Sequence, residues 1–153
     1  MRRARDLGFA LMEVVVGLGL LSALAISAVP AIRALQDERL RAAAQRLALL
    51  VEDSRCLALT SHRAVSVVLT QSTARAVDGS GARLNDPWSG EWLELELSSS
   101  AFGATVASSS FGANGIRFDV QGTPVEAGTI ELSVGGGGTR TVRLYRTGLV
   151  SIE

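Results

Sequence analysis

Apolar positions along the chain change their spacing twice. From Phe9 to Ile32 run 24 residues whose only charged side chain is Glu13. The stretch is apolar on every face, the pattern of a helix surrounded by lipid or protein rather than lying on a surface. At about 1.5 Å rise per residue it would reach roughly 36 Å, enough for a bilayer core of about 30 Å. From Arg33 onward charges return, and apolar residues fall at Leu40, Ala43, Ala44, Leu47, Leu50, Val51, Leu57 and Ala58. Intervals of three and four align these in one stripe, which predicts an amphipathic helix continuing to about Thr60. Pro30 stands where the two helical stretches meet. It removes one intrahelical hydrogen bond and predicts a bend rather than a stop.

Beyond Ser61 the period shortens to two. Val65–Leu69, Trp92–Leu97, Ile116–Val120, Thr129–Val134, Thr141–Tyr145 and Leu149–Ile152 alternate apolar with polar and read as strands. Gly79, Gly81, Pro87 and Gly90 mark one loop, and the Ser/Gly/Ala-rich run Ser98–Gly115 reads as another. Gly135–Gly138 reads as a flexible hairpin connection. Such alternation belongs to an antiparallel β domain with one packed and one solvated face. The expected class is α+β: a long N-terminal helix, its first part transmembrane, then an antiparallel β-sheet or sandwich. Four segments follow: a basic start over 1–8, a spanning helix over 9–32, its amphipathic continuation over 33–60, and a β domain over 61–153.

Composition narrows the chemistry. The chain has 153 residues, 47% of them hydrophobic, with 15 basic and 15 acidic side chains. Its length allows one domain, or one domain plus an appendage, but not two full domains, and its apolar share is far from that of a disordered chain. All of the basic residues are Arg, which excludes any mechanism needing a lysine. One Cys rules out an intrachain disulfide, and one His leaves little for a zinc site. No cofactor is expected, and no metal.

Two explanations fit a basic start followed by an apolar run. One is a cleaved secretory signal, with Ala23-Leu24-Ala25 or Ile26-Ser27-Ala28 as small-residue cleavage sites and a soluble product beginning near Ser27 or Val29. The other is a membrane anchor, favoured because the run exceeds the 7–15 residues of a signal core and flows directly into an amphipathic helix. In an anchor, Glu13 is the informative residue. An ionised carboxylate within a span costs several kcal/mol unless paired, so intramembrane acids point to function, although an acid near the headgroups is tolerated. Three arginines precede the run (Arg2, Arg3, Arg5) and three follow closely (Arg33, Arg39, Arg41), so the arginine balance leaves orientation open.

Gly8-Phe9-Ala10-Leu11-Met12-Glu13, after a short basic leader and ahead of an apolar helix, resembles the processing signature of type IV pilins and pseudopilins. The resemblance implies that a membrane prepilin peptidase cuts between Gly8 and Phe9, that Phe9 is then N-methylated, and that Glu13 guides assembly. It also places a helix-bending proline near Pro30. Ala10 departs from the commoner Thr or Ser, and Gly17 and Gly19 sit inside the span.

Further along, Arg117-Phe118-Asp119-Val120-Gln121-Gly122-Thr123-Pro124, Gly128-Thr129-Ile130-Glu131-Leu132, Arg140-Thr141-Val142 and Gly148-Leu149-Val150-Ser151-Ile152 resemble the GspH/FimT family. So does the helix end Asp53-Ser54-Arg55-Cys56-Leu57-Ala58 with the following Val65-Ser66-Val67. Such a resemblance implies a minor pseudopilin of type II secretion near the tip of a periplasmic pseudopilus, in contact with other minor pseudopilins and the major pseudopilin. The implied place is the bacterial inner membrane, crossed once and contacting its lipid, with the β domain in the periplasm. The alternative is a FimT-type minor pilin of a type IV pilus, priming fibre assembly or binding DNA. Nucleic acid is not the expected partner. Arg140, Arg143 and Arg146 form the one candidate basic cluster, and alternation sets Arg143 opposite the other two.

An enzyme is not expected. There is no G-x-S-x-G elbow, and Ser98–Ser100 and Ser108–Ser110 have no histidine near them in sequence. Cys56 is expected to be buried and inert rather than paired with His62. Asp78, Asp86 and Glu91 lack the dense oxygen spacing of a calcium loop.

Removing 1–8 takes away three Arg and one Asp, leaving 12 basic against 14 acidic side chains. The balanced total thus conceals a mildly acidic mature chain.

Overall fold

The computed structural model describes residues 3–112, 115–135 and 138–153, with helix side chains at 12–22, 30 and from 32 onward. One helix, α1, covers Arg3–Ser61, and Pro30 lies inside it without ending it. Eight strands follow: β1 (Val65–Leu69), β2 (Thr73–Asp78), β3 (Glu94–Glu96), β4 (Ala104–Ser109), β5 (Ile116–Phe118), β6 (Gly128–Val134), β7 (Thr139–Leu144) and β8 (Val150–Ile152). They form two antiparallel sheets in the orders β3-β2-β1-β5 and β4-β6-β7-β8. The α+β expectation therefore holds, with two four-stranded sheets. The chain divides between Leu35 and Gln36 into two units.

In the second unit the predicted stripe is the packed face of the helix. Leu40, Ala43, Ala44, Leu47, Leu50, Val51 and Ala58 are buried, and Leu57 is half-buried. Ser54 fills the gap between Val51 and Ala58. Its hydroxyl donates to the Leu50 carbonyl at 2.6 Å, so a polar residue sits in the core with its hydrogen bond made. These helix residues share one core with Val65, Val67, Ile116 and Phe118 of the first sheet and Ile130, Leu132, Val142 and Leu144 of the second. The helix stops without glycine. His62 takes φ 51°, and the hydroxyls of Thr60 and Ser61 accept the role of cap by donating to the Cys56 and Leu57 carbonyls.

Three expectations need correction. Cys56 is exposed, not buried. Two residues past buried Ser54, a helix has turned about 200°, which carries Cys56 to the opposite side. Ser98–Gly115 is not all loop, because Ala104–Ser109 forms β4 beside β6, with a register shift between Val106 and Ser108. Thr73–Asp78, unassigned by pattern, forms β2, whose core residues include the alanines Ala74 and Ala76. Elsewhere the strands lie where alternation put them, although Trp92–Leu97 keeps only Glu94–Glu96 as strand and Ile116–Val120 only Ile116–Phe118. Glu94 and Glu96 are on the wet face as expected. Strands β6 and β7 pair up to Ser133 opposite Thr139, as a hairpin over Gly135–Gly138 requires, though residues 136 and 137 lie outside the described ones.

Candidate functional site

Around Glu13 the helix carries apolar side chains on all sides. Met12, Val14, Val15, Val16, Leu18, Leu20 and Leu21 are all exposed. Consecutive exposed residues cannot share one face of a helix, so among the described residues of this stretch no face is packed. Glu13 is exposed too, and among the described residues it enters no ion pair or hydrogen bond. A Cβ at Gly17 or Gly19 would meet nothing within 4 Å. The Gly8–Phe9 junction lies within the helix, but the side chain of Phe9 and those of 23–29 are outside the described residues. Among the described residues, no helix is long and apolar enough to cross a membrane.

At the other end of the helix, Arg55 fastens two turns. Its Nε donates to the Gly122 carbonyl at 3.1 Å and its Nη1 to the Gly148 carbonyl at 3.3 Å. Both glycines need their φ of +67° and +83°, and both press against the helix. A Cβ on Gly148 would lie 2.7 Å from the Arg55 guanidinium carbon, and one on Gly122 would lie 2.6 Å from the Leu59 side chain. The first turn is closed by Asp119, whose Oδ1 accepts from the backbone of Gln121 and Thr123 at 2.9 and 2.8 Å. Sequence reading singled out both glycine motifs and the Asp53–Ala58 helix end, yet missed that one arginine ties the three together. One Arg among several in an amphipathic helix gives no local sign of distant carbonyl partners.

The three candidate arginines do not gather into one patch. Arg140 is half-buried, on the side of β7 shared with buried Val142 and Leu144. Arg143, on the opposite side, pairs with Glu153 at 3.1 Å. Arg146 lies beyond the strand, in the turn where Gly148 N–H donates to the Tyr145 carbonyl. Cys56 and His62 share no hydrogen bond. In the second serine run, Ser108 donates to Glu131 Oε2 at 3.0 Å, while the hydroxyls of Ser109 and Ser110 accept from the backbone of Phe111 and Thr129. These hydroxyls brace strands and turns.

Asp78 and Asp86 serve their own loops. Asp78 Oδ1 accepts from the Ser80 hydroxyl and from the Ser80 and Ala82 amides, which holds its carboxyl below the usual range. Asp86 is held low by the Trp88 amide and the Ser89 hydroxyl. Asp53 is shifted the other way. Partial burial raises it first, then the charges of Asp86 and Glu52.

A sequence profile described as "Type II transport protein GspH" matches residues 43–148. The chain belongs to the GspH family. The match runs from the packed half of the helix to the Gly148 turn, and so contains Arg55 and both glycine turns that it fastens. Two crystal forms of the type IV minor pilin FimU from Pseudomonas aeruginosa (strain PAO1) share the fold. In one, the TM-score is 0.57 at 18% identity, over 76% of this chain and 90% of the other. In the second it is 0.56 at 19%, over 74% and 92%. Among curated proteins, none matches the sequence significantly.

Proposed function

We propose that this GspH-family chain is a minor pseudopilin of a type II protein secretion system, a structural subunit near the tip of a periplasmic pseudopilus. Its work is assembly rather than catalysis. The observation that carries the reading is the family match over residues 43–148, which takes in the packed half of the helix and most of both sheets. The N-terminal signature, outside that match, supplies the rest of the mechanism.

On this reading prepilin peptidase cleaves after Gly8 and Phe9 becomes the methylated terminus. The new α-amine has an ordinary pKa of roughly 7.7–8.0, so much of it is charged at neutral pH. An amine and a carboxylate about 4 Å apart attract by about 4 kcal/mol at an effective dielectric of 20. Glu13 of one subunit therefore neutralises the amine of its neighbour, and neither charge enters lipid alone. The apolar side chains around Glu13 face inner-membrane lipid first and the helices of other pseudopilins after assembly. Pro30 bends the helix between its lipid-facing and packed halves, and the two sheets lie in the periplasm.

The shared fold with FimU favours a second reading, a minor pilin that primes a type IV pilus. Its DNA-binding version finds little support, since Arg143 is engaged by Glu153 and Arg140 faces the core side of β7. Deleting the gene separates the machines. The first reading predicts that exported proteins accumulate in the periplasm while surface fibres persist; loss of fibres with normal secretion would favour the second.

A further inference from the structure

The last four turns of α1 border a groove that the assembly mechanism does not use. Between the helix end and the β2–β3 connection lies a cavity of about 570 Å³, floored by Leu57 and Leu93 and rimmed by Pro87 and Trp88. It joins a second of about 460 Å³ beside Leu49, Leu50 and Trp92 through the shared Asp53, Asp86 and Leu93. Trp88 is 91% exposed and Trp92 57%, and they are the only two tryptophans in the chain. Two indoles left in water beside an apolar floor are the composition of a docking surface, since Trp is enriched among the anchors of protein interfaces.

Charge decides what fits. Asp53, Asp86 and Glu91 line the groove beside Glu94, which pairs with Arg83, and Arg46 is the one cation among its lining residues. Among the described residues the ion pairs are Arg83–Glu94 and Arg143–Glu153, so these three acids have no cationic partner. Asp86 spends its oxygens on its own loop, whereas Asp53 makes no hydrogen bond with its side chain among the described residues. A floor of leucines beside an uncompensated carboxylate suits an apolar anchor next to a cation, and it repels an acidic segment.

We propose that this groove seats a segment of a neighbouring filament subunit in which an arginine or lysine stands beside apolar residues, the cation meeting Asp53 and the apolar side chains lying between Leu57, Leu93 and Trp88. The identity of the occupant as a filament subunit rests on the assembly reading; the preference of the groove for a basic, apolar segment does not.

Because both tryptophans border the groove, intrinsic fluorescence of the full chain in neutral detergent reports on it directly. The probes are two short peptides, each with two leucines among serines, one carrying a single arginine and its twin a glutamate in the same place. The arginine peptide is expected to shift the emission to the blue and to saturate, and the glutamate peptide to bind at least tenfold more weakly. Asp53→Asn should weaken the arginine peptide several-fold without changing the circular dichroism, and Trp88→Ala should abolish its binding with the fold intact. Equal binding of the twins, or no saturable shift, overturns the groove. In cells, a photoreactive benzoylphenylalanine at Trp88 should crosslink to another pilin-like subunit at a peptide containing Arg or Lys beside apolar residues. A crosslinked peptide without a cation overturns the proposal. A chain that binds the arginine peptide but crosslinks to no subunit leaves the groove's preference standing and overturns its assignment to the filament.

Discussion

Leu20 and Leu47 are the same residue type in one continuous helix, yet Leu20 is 63% exposed and Leu47 is completely buried. Around Leu47 the apolar stripe meets two sheets and closes a core. Around Leu20 there is no stripe, only exposed apolar side chains at successive positions among the described residues. Among the described residues, the first half of α1 is therefore an exposed apolar surface, while the second half is packed by its own unit. Hydrophobicity alone does not separate the two. Periodicity does, because a helix packed on one side must leave its other side polar.

Substitutions can break this comparison. Leu47→Ala should cost about 2–5 kcal/mol of stability in the unit from Gln36 onward, the range for a buried leucine truncated to alanine. Leu20→Ala should leave that unfolding within about 0.5 kcal/mol of the parent, as surface changes do. Thermal unfolding followed by circular dichroism reads both; equal losses would erase the distinction. Next in size comes Arg55→Ala. It removes two charge-assisted hydrogen bonds and leaves the Gly122 and Gly148 carbonyls unpaired, a loss of about 2–3 kcal/mol. Combined with Gly148→Ala, whose Cβ would strike the same guanidinium, the losses should fall short of the sum.

The smallest effects are in the acid limb. Asp78 and Asp86 are held below their ordinary 3.8 by loop hydrogen bonds, so the folded chain binds fewer protons there than the unfolded one. Their contribution is whole above that value and is lost as pH falls through the lower folded values. Asp78→Asn should therefore flatten the acid limb of a stability-versus-pH curve. Asp53, raised above 3.8 by burial and neighbouring charge, has the opposite sign, its contribution whole below 3.8 and lost as pH rises through its folded value. Asp53→Asn should then slightly stabilise the chain at neutral pH; a Tm drop there would show that its carboxylate has a cationic partner.

Much of this architecture was legible in the sequence wherever side chains large enough to carry the pattern define the period. Leu40 to Ala58 gave the packed face of the helix, and Val, Ile and Leu at alternate positions placed six strands. The two strands that escaped notice, Thr73–Asp78 and Ala104–Ser109, are built largely from Ala, Thr and Ser. Their membership in a sheet comes from pairing with β1 and β6, a tertiary fact, and not from their own propensity. Cys56 went astray because cysteine is usually buried, while its helical phase beside Ser54 puts it outside. The Arg55 fastening was hidden for a different reason. Its acceptors lie 67 and 93 residues away, and only the fold brings them within reach.

The central claim is that the exposed apolar half of α1 is a processed assembly helix rather than a discarded signal. Intact mass of the protein recovered from membranes of cells with active prepilin peptidase tests this most directly. The account predicts a chain beginning at Phe9, short of residues 1–8 and with a methyl group in place of one amine hydrogen, and Gly8→Arg leaving the full-length mass. A chain beginning near Ser27 or Val29 and recovered in soluble form, or an unshortened chain from the parent, would contradict it.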